Sequence, residues 1–306
     1  MATHPFRIVN VFTQEQGPFT GNPLCVFENG DGLNIAQMQA LARQFNLSET
    51  TFILPSSRAN ARVRIFTPTY EMAFAGHPTL GTAHVCRALK LGGDSLVLDM
   101  QAGLIPVRAS GDRWTLTALG ATTRELDVSR DTLAAALGLQ VHDIGERPLW
   151  VKAGKEQLVV PLTSTDAVRR AVPSAPGMAK IRSEDGLSMA YVFSLDGANS
   201  SGGAAGGGAA GGGAAGGGAA GGRDQALARF FFPVGGAILE DPATGSATAN
   251  FGAWCLAMKR TLPVQLQISQ GELAGRPSTL FLDVSREAQV FVGGDALEIG
   301  RGAISL

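Results

Sequence analysis

Cysteine is scarce in this chain, with Cys25, Cys86 and Cys255 the three in 306 residues. They are scattered and show no CxxC spacing, so neither a disulfide framework nor a zinc site is indicated. Free thiols in a reducing compartment are the simplest reading. Charge of one sign is also lacking. A formal net charge of −1 leaves no basic surplus to pair with phosphates, which argues against nucleic acid or a membrane surface as partner. No long apolar run is present either. Residues 226–239 are interrupted by Arg229, Pro233 and Gly235-Gly236, which rules against a membrane helix. Met1 to Phe6 show no charged stretch leading into an apolar core, so no signal peptide is read and a cytoplasmic location is expected. A GxxxxGK[ST] loop, an HExxH helix and a His/Cys cluster are all missing, so phosphate-loop and metal chemistry are not expected.

Apolar residues, by contrast, are plentiful. At 45% of the chain they suffice for a sizeable core, and the length allows two domains of ordinary size. Glycine is abundant for a local reason. Residues 202–222 are only Gly and Ala, with Gly-Gly-Gly-Ala-Ala recurring every five residues. Such a segment offers little area to bury and keeps too much backbone freedom to form core. It reads as a flexible surface loop, a repeat expansion or an artefact.

Along the chain, Phe6–Val11, Leu24–Phe27, Thr50–Leu54 and Ala61–Thr67 read as strands. Ile35, Met38, Leu41 and Phe45 recur at helical spacing, with Asn34 as cap and Asn46-Leu47-Ser48 as the stop. A helix opens at Pro78 and runs to about Leu91, where Gly92-Gly93 end it. Strands follow near 95–99, 103–109 and 113–117, and 118–124 reads as a link. Beyond it come a helix over Asp131–Leu137 capped by Ser129, and strands over Leu149–Lys152 and Gln157–Pro161. Helices are expected over Thr165–Val172 and Pro176–Arg182. Strands are expected over Ser188–Leu195, Ala226–Phe232, Val264–Ser269, Leu280–Val284, Gln289–Val292 and Leu297–Arg301. Two sets of short strands, each with one long small-residue helix, indicate an α+β fold of two similar parts.

The chemistry concentrates at the starts of those two helices. Gly76-His77-Pro78-Thr79 places a glycine turn, a histidine and a helix-opening proline in succession. Asp241-Pro242-Ala243-Thr244-Gly245-Ser246 repeats the design before a helix carrying Phe251, Trp254, Cys255 and Met258 on one face. Free N–H groups and the positive dipole end suit a carboxylate or phosphate at each start. His77 reads either as a proton carrier or as a satisfied turn histidine, and His84, two turns further in, as helix packing. Asp241 reads as a site carboxylate, as a plain helix cap, or as both. Glu49 stands alone at a helix–strand junction, where a carboxylate is commonly solvated or a cap. As a base it would need a raised pKa, and Leu47, Phe52 and Ile53 could desolvate it.

Phe19-Thr20-Gly21-Asn22-Pro23, Asn46-Leu47-Ser48-Glu49-Thr50, Gly76-His77-Pro78-Thr79 and Asp241-Pro242-Ala243-Thr244-Gly245-Ser246 stand in one particular order. So do Gln270-Gly271-Glu272 and Gly275-Arg276-Pro277-Ser278. That order resembles the phenazine-biosynthesis-like (PhzF-like) isomerases, which share the diaminopimelate epimerase fold. The resemblance covers nearly the whole chain except residues near 199–224. It implies two halves, 1–118 and 119–306, each a curled, mostly antiparallel sheet around a central helix, with the final strand returning to the first half. It implies a cofactor-independent isomerase and a homodimer, acting on a small carboxylic acid bound between the halves. Glu49 would be the acid/base, and His77 and Asp241 would hold substrate or carry protons. Gly76, Gly245 and Ser246 would bind the carboxylate or stabilise developing charge. A non-catalytic acid-binding protein on the same fold is the rival reading. An amino-acid epimerase is disfavoured, because its two cysteines at these helix starts are here His77 and Asp241.

Overall fold

The computed structural model describes residues 2–14, 17–118, 120–196 and 222–306. The Gly/Ala repeat lies outside them apart from Gly222. In chain order the elements are strands β1 (Thr3–Val11) and β2 (Asn22–Phe27), helix α1 (Ile35–Phe45), strands β3 (Glu49–Leu54), β4 (Ala61–Phe66) and β5 (Glu71–Met72), then helix α2 (Gly76–Ala88). Strands β6 (Ser95–Met100), β7 (Gly103–Ser110), β8 (Arg113–Thr117) and β9 (Thr122–Glu125) follow, then α3 (Arg130–Leu137). After β10 (Leu149–Lys152) and β11 (Glu156–Pro161) come α4 (Thr165–Arg170) and α5 (Ala175–Met178). The chain continues through β12 (Ala190–Asp196), β13 (Asp224–Val234), β14 (Ala237–Asp241), α6 (Gly245–Ala257), β15 (Val264–Gln270), β16 (Ser278–Val284) and β17 (Val290–Ser305).

The strands form a mixed sheet with few helices, an α+β architecture. One circuit of pairings closes on itself: β1–β2–β3–β4–β6–β7–β8–β17 and back to β1. Helix α2 touches most of its strands and is buried along nearly its whole length, so it runs through the middle of that circuit. A second run of pairings goes β9–β10–β11–β12–β13–β15–β16–β17, and α6 packs inside it. Strand β17 belongs to both. Its first residues pair with β8 and β16, and Ala296 to Ser305 pair with β1.

Local chemistry explains the placement of the first functional segment. Asn34 caps α1 in a reciprocal capping box with Gln37, and Asn46 closes it at φ 51°, a left-handed conformation asparagine tolerates. Helix α1 buries Met38, Leu41 and Ala42 against an aromatic cluster in which Phe27 and Phe52 stack at 4.8 Å. The chain then turns directly into β3, whose first residue is Glu49. Strand β3 runs parallel to β2, with Leu24 opposite Glu49. The Thr51 and Thr82 hydroxyls, 2.8 Å apart, tie β3 to α2.

Several element expectations need correction. Residues 118–124 are not only a link, because Thr122–Glu125 pair with β10. The Asp241 turn is fed by the hairpin strand β14 rather than directly by Ala226–Phe232. Gln289–Val292 and Leu297–Arg301 are parts of one long strand. Helix α2 begins at Gly76 and ends by Ala88, and α5 stops at Met178, well short of Arg182.

Candidate active site

Helices α2 and α6 meet end to end. A Cβ built on Gly76 would lie 3.3 Å from the Gly245 Cα and 3.5 Å from the Ser246 nitrogen. A Cβ on Gly245 would lie 3.5 Å from the Gly76 Cα and 3.2 Å from the Phe12 ring. A methyl group at either position would be tight, and glycine relieves that close approach. The N-cap residues, Ala75 and Thr244, make no side-chain cap hydrogen bond. Each helix therefore presents first-turn N–H groups and a positive dipole end to the same place.

Glu49 reaches this junction from β3. Its Oε2 lies 3.4 Å from His77 Nε2, and neither atom has a hydrogen-bond partner among the described residues. Burial pushes the Glu49 carboxyl up to about 8, and the charge of Asp241 adds to the effect. Burial pushes His77 down to about 3, against a hydrogen bond to the Pro23 carbonyl. Near neutral pH the pair is therefore an acid and a neutral imidazole, not an ion pair.

Asp241 ends β14 on the α6 side. Its Oδ1 accepts from Asn22 Nδ2 at 2.9 Å, and its Oδ2 accepts from the Thr244 hydroxyl. Burial raises it to about 6, opposed by those two hydrogen bonds and assisted by the charge of Glu240. The helix-cap reading of Asp241 is corrected here: Thr244 is the N-cap of α6, and Asp241 bonds to its hydroxyl instead of to the helix N–H groups. Ser246, in the first turn of α6, accepts from Gln157 Nε2 at 3.1 Å. Asn250 fixes that glutamine in turn, donating to Gln157 Oε1 at 2.8 Å.

Glu49, His77, Gly76, Asp241, Gly245 and Ser246 thus converge on one junction. Asn22, Gln157, Thr244 and Gln270 support it without having been assigned a role from sequence. Asn22, Thr244 and Gln270 stood within the family-like motifs, which was the available signal. Gln157 carried none. The thiols lie elsewhere. Cys86 and Cys255 sit far along α2 and α6, and burial pushes both up to about 12. Cys25 is fully buried and raised by the same cause. Among the described residues no group of three or more metal-ligating side chains comes together, and no helix is long and apolar enough to cross a membrane.

Comparison with known proteins finds relatives in both sequence and fold. A family model described as "Phenazine biosynthesis-like protein" (PhzC-PhzF) matches residues 9–201 and 211–302. An uncharacterized isomerase of Pasteurella multocida is 33% identical over 99% of this chain and 95% of its own. The trans-2,3-dihydro-3-hydroxyanthranilate isomerase of Pseudomonas chlororaphis is 32% identical over 99% of this chain and 100% of its own. In fold, the crystal structure of a Bacillus anthracis phenazine biosynthesis protein of the PhzF family superposes with a TM-score of 0.81, at 23% identity over all of both chains. The chain is an isomerase and belongs to the phenazine biosynthesis-like (PhzC-PhzF) family.

Proposed function

We propose that this isomerase moves a proton between carbons of a small carboxylic acid without a cofactor, using Glu49 as acid and base. One observation carries the reading: half-buried Glu49 and buried His77 form a neutral pair at 3.4 Å, set beside two helix starts that face each other. A base for a carbon acid works best with a pKa near the working pH. Glu49 at about 8 keeps both of its forms accessible there.

In the proposed reaction, ionised Glu49 takes a proton from a carbon next to an acidifying group. The C–H electron pair spreads into the conjugated carboxyl or carbonyl group. First-turn N–H groups of Gly76-His77 and Gly245-Ser246, with the Ser246 hydroxyl, stabilise that charge. Glu49 then returns the proton at another carbon, so the enzyme ends as it began. Neutral His77 accepts a hydrogen bond from the protonated Glu49, and Asp241 holds a polar group of the substrate. The Pseudomonas chlororaphis relative is named for a dihydro-hydroxyanthranilate, which makes cyclic unsaturated amino and hydroxy acids the first class to test.

The same reading takes the chain as two similar halves, 1–118 and 119–306, with the substrate between them. Recurrence of the pairing order supports it. Parallel pairs β2–β3 and β4–β6 around α2 correspond to parallel pairs β11–β12 and β13–β15 around α6. A homodimer and a cytoplasmic location belong to this reading through the family resemblance and the scarce, unpaired cysteines.

The test is a proton NMR screen in deuterium oxide against small amino, hydroxy and cyclohexadiene carboxylates. Wild type is expected to wash out a C–H signal of one class, and Glu49→Gln is expected to leave it intact. Wash-out that persists in Glu49→Gln removes Glu49 from the proposed role. No wash-out by wild type across the whole panel counts against proton transfer on this substrate class.

A further inference from the structure

Gln270 ends β15 and is 1% exposed, yet the chemistry above does not use it. Its amide can be oriented in only one way. Nε2 lies 2.9 Å from the Asp241 carbonyl oxygen, an atom that only accepts, so the nitrogen must face it. The other Nε2 hydrogen goes to Thr244 Oγ1 at 3.1 Å. A hydroxyl has one hydrogen. With Gln270 donating to it, Thr244 turns its own hydrogen to Asp241 Oδ2. The Asn22 amide is fixed by the same logic. Its Nδ2 lies 3.0 Å from the Ala243 carbonyl and gives its second hydrogen to Asp241 Oδ1 at 2.9 Å. Both oxygens of Asp241 therefore face donors. A neutral carboxyl accepts such bonds more weakly than a carboxylate, so the two donors favour the charged form. The other charged groups bearing on Asp241 are Glu49 on β3 and Glu240 on its own strand, the latter paired with Arg229 at 2.7 Å. His77 on α2 is neutral and stands beside Glu49.

We propose that Gln270 is a positioning residue that acts through Thr244 to hold Asp241 ionised, so that the mobile proton of the site resides on Glu49. The distribution of protons is thereby set from the α6 side by a residue that touches neither reacting group. Without Gln270 the Thr244 hydroxyl is free to accept, and a protonated Asp241 becomes tolerable. Its relevance to turnover rests on the proposed function, but the proton placement does not and is measured directly.

The test is a carbon-13 NMR titration of the full chain labelled at Asp and Glu carboxyls, with no substrate added. Glu49→Gln and Asp241→Asn assign the two resonances by their disappearance. In wild type near pH 7 the protonated carboxyl is expected to be Glu49 and the ionised one Asp241. Gln270→Leu and Thr244→Val are each expected to raise the Asp241 midpoint by about one pH unit, because each removes a constraint that favours the charged form. The double variant is expected to move it no further, since both act through one hydroxyl. Thr244→Val keeps the side-chain shape and carries the test if Gln270→Leu does not fold. A protonated Asp241 at neutral pH in wild type, or an unmoved midpoint in Thr244→Val, overturns the proposal. The expected titrations combined with no C–H wash-out on any carboxylate would leave this inference standing and sink the isomerisation mechanism instead.

Discussion

The two helix starts share a backbone design and differ in how their side chains are held. Both begin with glycine and lack a side-chain cap. Each has a threonine one turn in that bonds back to the cap carbonyl, Thr79 to Ala75 and Thr248 to Thr244. On the α2 side, the facing atoms Glu49 Oε2 and His77 Nε2 have no hydrogen-bond partner among the described residues, which destabilises the charged forms. On the α6 side, Asp241 is buried to a similar degree but has donors on both oxygens. Burial raises both carboxyls, and the donors on Asp241 oppose that rise. The difference teaches that a near-symmetric frame can carry asymmetric chemistry through a handful of amides and hydroxyls.

That contrast can be broken at several points. The largest effect is expected for Glu49→Gln, with C–H exchange falling about 10³-fold, the range of a lost acid/base group. Asp241→Asn is expected to cost less, about 10²-fold, as for loss of substrate positioning. Equal losses in exchange assays would show that the two sides act as one unit.

The glycine pair comes next. Gly76→Ala pushes a methyl group onto the Gly245 backbone, whereas Gly245→Ala meets first the tip of the Phe12 ring. Gly76→Ala is therefore expected to be the more destabilising in urea titration, by about 1–3 kcal/mol for overpacking, partly offset by about 1 kcal/mol of helix propensity.

The pH dependence of stability separates the sides further. His77 is lowered from 6.5 to about 3 and Asp241 raised from 3.8 to about 6. Above pH 7.5 both have largely the same protonation folded and unfolded. Glu49, raised from 4.5 to about 8, is then ionised in the unfolded chain and protonated in the folded one. Its contribution to stability is complete at acid pH and falls as pH rises towards 8, by up to about 1.4 kcal/mol per unit. Comparing wild type with Glu49→Gln between pH 7.5 and 9 should show that slope only in wild type. The smallest effect is expected for Cys86→Ala and Cys255→Ala, which should leave exchange unchanged and cost about 1 kcal/mol of stability. Loss of exchange in either would bring thiol chemistry back to the helix starts.

Much of the frame was legible in the sequence because its signals are local. Asn34 and Asn46 bracket α1, and Gly76-His77-Pro78 and Thr244-Gly245-Ser246 open α2 and α6. Strand β9 was not legible. Thr122-Thr123-Arg124-Glu125 has no apolar alternation and is a strand because Leu149–Lys152 lies beside it. Strand β14 did carry a signal, since Gly235 and Gly236 both take positive φ in a tight hairpin turn. The amides around Asp241 were the least legible. Asn22 and Asp241 are 219 residues apart in the chain, and no local pattern announces such a contact.

Strand β17 has a consequence for the order of assembly. It comes after all of its partners in the chain, and one of its contacts, Arg7 to Glu298, spans 291 residues. The circuit around α2 cannot close until β17 arrives between β8 and β1. During synthesis, the segments from β1 to β8 must therefore wait, with an open edge, until β17 (Val290–Ser305) is made. Such long-range closure slows folding and leaves a strand edge available to other chains. The residues that complete the first-made sheet are made after every strand they join.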